Sequence, residues 1–81
     1  MQKRTNLQDK FLNQCRKTST TIQVYMNNGF PVFGKVEGFD DFTVLIRDKE
    51  DRQNLLYKSA ISTIKPEKEV EMKFEPKERV E

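Results

Sequence analysis

Histidine is absent from this 81-residue chain, cysteine occurs once, and glycine and proline occur three times each. Without histidine the commonest general base and nitrogen ligand are missing. A single cysteine permits neither an internal disulfide nor a thiolate cluster, so the usual metal sites are excluded and no metal or other cofactor is expected. The carboxylates are scattered, and no nucleophile and base pair is in view, so an enzyme is the least favoured reading. No apolar run approaches the roughly 18 residues of a membrane span. The first residues, MQKRTNLQDKF, lack the roughly 7–15-residue apolar core of a secretory signal, so a cytoplasmic protein is expected. Apolar residues are also scarce, 35% against 35% charged. A domain this small then has a modest core, and association with other copies is the favoured source of further stability.

The net charge of +2 hides an asymmetry. Residues 1–66 carry eleven Lys/Arg against seven Asp/Glu, whereas residues 67–81 carry four against six. A mildly basic body suits an anionic partner such as nucleic acid, and repetition around an assembly would focus that charge. The division also separates a folded domain, 1–66, from a charged tail, 67–81. Val70, Met72 and Phe74 alternate in the tail, which permits a short docked strand, but its charge content favours disorder.

What is present concentrates between Asn27 and Phe42. NNGFPVFGKVEGFDDF holds all three glycines and four of the six phenylalanines. Gly29 after two asparagines predicts a hairpin turn with positive φ. Gly34 and Gly38 inside an alternating run predict a strand that bends sharply. Before this stretch, Leu7, Phe11, Leu12 and Cys15 form one stripe of a helix over Leu7–Lys17, with Asn6 as N-cap and Asp9 three residues later. Cys15 on that stripe reads as a small buried hydrophobe.

Period-two patterning then runs from Thr21 to Ile64. It predicts strands at Thr21–Met26, Val32–Gly38, Thr43–Arg47, Leu55–Ser59 and Ile61–Lys65, with a polar loop from Asp48 to Asn54 and a stop at Pro66. One helix and five short antiparallel strands make too little sheet for a sandwich. A mostly β fold follows, a strongly bent antiparallel sheet rolled into a small open barrel.

Several of these residues together resemble one family. Leu7-Gln8-Asp9 with Phe11-Leu12-Asn13, Asn28-Gly29 with Gly34, Phe39-Asp40-x-Phe42, and Tyr57-Lys58-x-Ala60-Ile61-Ser62-Thr63 with Pro66 resemble Hfq, the bacterial Sm-like RNA chaperones. The resemblance implies an Sm-like barrel assembled into a homohexameric ring. It also implies a ring that binds single-stranded RNA, both small regulatory RNA and mRNA, on separate faces. Around the pore, where the family takes uridine-rich ends, the matching residues are Gln8, Asp41, Phe42, Tyr57, Lys58 and Ser59. On the opposite, adenine-binding face they are Tyr25, Met26, Asn28, Gly29, Phe30, Phe33, Ser62 and Thr63. At the rim they are Asn13, Arg16 and Lys17.

As chemistry, Phe42 offers a face for an unstacked base. Gln8 and Ser59 can hydrogen-bond a base edge or the 2′-hydroxyl, and Lys58 offers charge to a phosphate. Tyr25, out of phase with Ile22, Val24 and Met26, points away from the core. Two departures stand out: Ser59 replaces the family's usual histidine, and Asp41 replaces a common amide. Both are expected to weaken uridine binding. The competing reading is a monomeric SH3-like barrel whose exposed aromatics bind peptide.

Overall fold

Eleven residues, Leu7–Lys17, form the one α-helix among the described residues, α1, and its apolar stripe delivers Leu12 and Cys15 to full burial. The computed structural model describes residues 7–72, so the expected N-cap Asn6 and tail residues Phe74 and Val80 lie outside the described residues. The helix ends in a Schellman motif. Ser19 adopts a left-handed φ of 53°, Thr20 N–H donates to the Cys15 carbonyl, and Ser19 N–H donates to that of Arg16. Burial pushes the Cys15 thiol pKa up, as suits a packing residue.

Five strands follow: β1 (Thr21–Met26), β2 (Pro31–Phe39), β3 (Thr43–Asp48), β4 (Gln53–Tyr57) and β5 (Ile61–Pro66). All pairings are antiparallel, in the order β4-β3-β2-β1-β5, which leaves β4 and β5 as open edges. Ile22, Val24, Val36, Val44 and Ile46 face inward and complete a small core with Leu12 and Cys15. Val70 packs partly buried against the same cluster.

Two bulges bend the sheet. Val36 pairs with Ile46 but Gly38 with Leu45, so Glu37 is the extra residue on β2. Tyr25 pairs with Thr63 but Met26 with Ile61, so Ser62 is the extra residue on β5. An extra residue sharpens the local twist, which curls the sheet around its core. The two strand glycines therefore differ. Gly38 adjoins a bulge, whereas Gly34 lies in regular pairing and is needed for close approach. A Cβ there would meet the Arg47 carbonyl and would lie 2.6 Å from the Ile46 Cγ2 methyl.

The β1–β2 and β3–β4 turns share one construction. In each, three residues are closed by two backbone hydrogen bonds and end in a left-handed residue, Gly29 at φ 88° and Asp51 at φ 64°. The second turn is tighter than the expected Asp48–Asn54 loop, since Asp48 belongs to β3 and Gln53–Asn54 to β4. The reason is Asp48 itself. Its carboxylate accepts the N–H groups of Glu50 and Arg52 and the Asn54 amide, and these bonds hold its pKa below the usual carboxylate range. A second departure concerns Ser59, expected at a strand end. Lys58–Ala60 is a single 3₁₀ turn between β4 and β5.

Candidate nucleic-acid interface

Phe42 sits at the tip of the β2–β3 turn and is 76% exposed. Asp40 builds that turn, accepting the hydroxyl and N–H of Thr43 and the N–H of Phe42 at 2.7–2.9 Å. The Thr43 hydroxyl bond, followed by the two backbone bonds, holds the Asp40 carboxyl below the usual range. A phenylalanine is thus braced outward into water instead of folding onto the core.

Two bonds tie neighbouring segments to this turn. Lys58 N–H donates to the Phe42 carbonyl at 2.8 Å, and the Lys58 ammonium pairs with Asp9 of α1 at 2.7 Å. Gln8, Phe42, Lys58 and Ser59 are thereby gathered from three separate segments, with Asp41 beside Phe42 and Tyr57 one residue before Lys58. Lys58, expected to offer charge to a phosphate, is already paired. Its side chain is 11% exposed, held by Asp9, with the Phe39 ring 5.7 Å away.

The second face is the outer surface of β5, β1 and β2. Tyr25 pairs across strands with Thr63 and Pro31, and Gln23 with Phe33 and Lys65, so all six side chains share the side opposite Ile22 and Val24. Tyr25 hydroxyl donates to the Gln23 carboxamide oxygen at 3.0 Å. Phe30, 66% exposed, follows the Asn27–Gly29 turn, where its N–H donates to the Asn28 side chain. The bulge at Ser62 leaves adjacent Ser62 and Thr63 both exposed, with their hydroxyls 3.3 Å apart. Met26 is placed differently from its expected neighbours, partly buried against the core.

At the helix end, Arg16 donates to Asn13 at 2.9 Å. Asn13 and Lys17 border a cleft of about 450 Å³ that Glu71 and Met72 close from the C-terminal side. A second cleft, about 480 Å³, lies between Phe30–Phe33 and the β3–β4 turn.

Sequence reasoning missed Asp9, Asp40 and Asn27 as organisers. The Asn27 amide donates to the Ser59 carbonyl at 3.0 Å, and its N–H to that of Ala60, which fastens the 3₁₀ turn to the first hairpin. Asp40 had a readable signal, since aspartate before a two-residue turn is a common backbone acceptor. Asp9 had none, because its partner lies 49 residues away.

An N-terminal helix on five bent antiparallel strands with open edges, carrying exposed aromatics on two surfaces, defines an Sm-like protein. The comparisons narrow this. The family model for the Hfq protein matches residues 7–71. The RNA-binding protein Hfq of Bacillus licheniformis is 52% identical over 73 residues, covering 90% of this chain and 99% of that one. That of Bacillus subtilis is 51% identical over 70 residues, covering 86% and 94%. A crystal structure of the pleiotropic translational regulator Hfq superposes with a TM-score of 0.70 at 37% identity, covering 74% of this chain and 98% of that one. The chain belongs to the Hfq family.

Proposed function

We propose that this chain is a subunit of an RNA-binding chaperone ring that takes uridine-rich RNA at the Phe42 face and adenine-rich RNA at the Tyr25 face. Holding both, it promotes pairing of small regulatory RNAs with mRNAs in the cytoplasm. The observation that carries the reading is Phe42, braced by Asp40 yet 76% exposed. Such a ring is a stacking platform, and base–aromatic stacking contributes about 1–3 kcal/mol per base. Family membership supplies the class of ligand.

Assembly follows from the edges. Strand β4 presents unpaired backbone together with exposed Leu55 and Tyr57, and β5 presents the other open edge. Pairing β4 of one copy with β5 of the next is a head-to-tail contact, which closes into a ring when the rotation fits. Six copies is the expected number. Light scattering tests it, and a mass near 9.6 kDa would return the monomeric peptide-binding reading.

Binding of oligouridine and oligoadenine tests the two faces separately. Phe42→Ala should weaken oligouridine only, and Tyr25→Asp should abolish oligoadenine binding with the ring intact. Equal loss of both ligands in either variant would refute the two-face assignment. Asn13, Arg16 and Lys17 give the rim only two cations, so weak annealing activity is expected there.

A further inference from the structure

Two lysines outside the expected site residues stand over the aromatic rings of the Tyr25 face. The Lys65 ammonium lies 5.7 Å from the Tyr25 ring centroid, and the Lys49 ammonium 5.9 Å from that of Phe33. They reach that face from opposite sides. Lys65 comes from β5, where it pairs with Gln23, and Gln23 pairs in turn with Phe33 on β2. Lys49 opens the β3–β4 turn and lines the cleft of about 480 Å³ alongside Phe30 and Phe33. Neither ammonium has a carboxylate within ion-pair distance among the described residues, whereas Arg47 and Arg52 nearby are both paired with acids.

We propose that Lys65 and Lys49 are lids on two base seats and become phosphate ligands when RNA binds. The proposal rests on the Tyr25 face being an RNA surface and adds its electrostatic mechanism. A cation over an exposed ring gains little, and a base stacked on the same ring gains more, so an arriving base displaces the ammonium. Each lysine stem is long and flexible, and the freed charge then swings to the phosphate beside that base. The turn that carries Lys49 is held by the Asp48 hydrogen bonds, so its backbone need not reorganise. Each lysine thus counts twice with opposite sign: covering the ring opposes binding, and neutralising phosphate favours it.

That opposition gives a signature in salt. Labelled oligoadenine is titrated into the full chain and into Lys65→Gln, Lys49→Gln and the double variant between low and high salt. The slope of log K against log salt should become shallower by about 0.7 for each lysine removed and each subunit contacted. Affinity should therefore fall several-fold at low salt and converge with, or exceed, wild type at high salt. Lys65→Arg and Lys49→Arg should keep the wild-type slope, and oligouridine titrations should not change. In the free protein the lysine ε-protons should carry an upfield ring-current shift that saturating oligoadenine removes. Unchanged slopes in the glutamine variants, with Tyr25→Asp still abolishing binding, would overturn the lids alone. Oligoadenine binding that survives Tyr25→Asp would overturn the face and the lids together.

Discussion

Replacing Gly34 by alanine should be among the most damaging single-methyl changes available in this chain, and replacing Gly38 among the least. At Gly34 the new methyl would run into the Arg47 carbonyl and sit 2.6 Å from Ile46 Cγ2. The carbonyl belongs to a paired strand, since Lys35 faces Arg47 and Gly34 faces Asp48, so retreat means breaking the β2–β3 ladder. Overpacking costs about 1–3 kcal/mol where neighbours can shift. Backbone that cannot shift places Gly34→Ala near the top, about 3 kcal/mol. A domain of this size loses about 4–8 °C of melting temperature per kcal/mol, so the midpoint should fall by about 12–24 °C. At Gly38 an added Cβ meets nothing within 4 Å and φ is not positive. There alanine restricts the unfolded chain and should stabilise by about 0.4–1 kcal/mol. Thermal circular dichroism at one fixed protein concentration is the assay, because association moves the midpoint by mass action. A Gly34→Ala midpoint within about 3 °C of wild type, or equal losses at both sites, would refute the close-approach argument.

Acid should loosen the turns. Glu37, Asp40 and Asp48 all have lowered pKa values, each through hydrogen bonds that exist only in the fold. Their contribution is therefore complete above the unfolded carboxylate pKa near 4 and vanishes as pH falls through the lower folded values. Asp40→Asn should flatten part of that acid dependence and weaken oligouridine binding by releasing Phe42, and an unchanged stability profile below about pH 4 would count against it. Asp51→Gly should raise stability by about 1 kcal/mol by removing a left-handed aspartate, read as a higher urea midpoint at unchanged slope. Ser59→His should tighten oligouridine several-fold without touching oligoadenine, and equal affinities would show that serine at this position costs nothing.

Much of the fold was legible in sequence because period and punctuation are local. The stripe of Leu7, Phe11, Leu12 and Cys15 marked α1 to its observed ends, and alternation located the first three strands to within one residue at either end. Gly29 announced its turn, since few other residues tolerate φ near 88°. The errors fell where a side chain overrode a local rule. Asp48 gathers three donors and shortens a loop whose polarity read as longer. Asn27 holds Ser59 and Ala60 in a 3₁₀ turn, where alternation read strand as far as Ser59.

The sequence by itself determined the elements, the family and the identity of the aromatic residues, because those depend on neighbours within a few positions or on an ordered set of motifs. Only the tertiary structure decided what those residues face. Phe42 is outward because Asp40 binds the turn beneath it, and Lys58 is drawn inward because Asp9 meets it across 49 residues. Which lysines stand over Tyr25 and Phe33 depends on the register of β5 on β1 and on a three-residue turn. A charge in sequence has no address until the chain folds; folding is what set Lys58 against both a carboxylate and a ring, and Lys49 and Lys65 against rings.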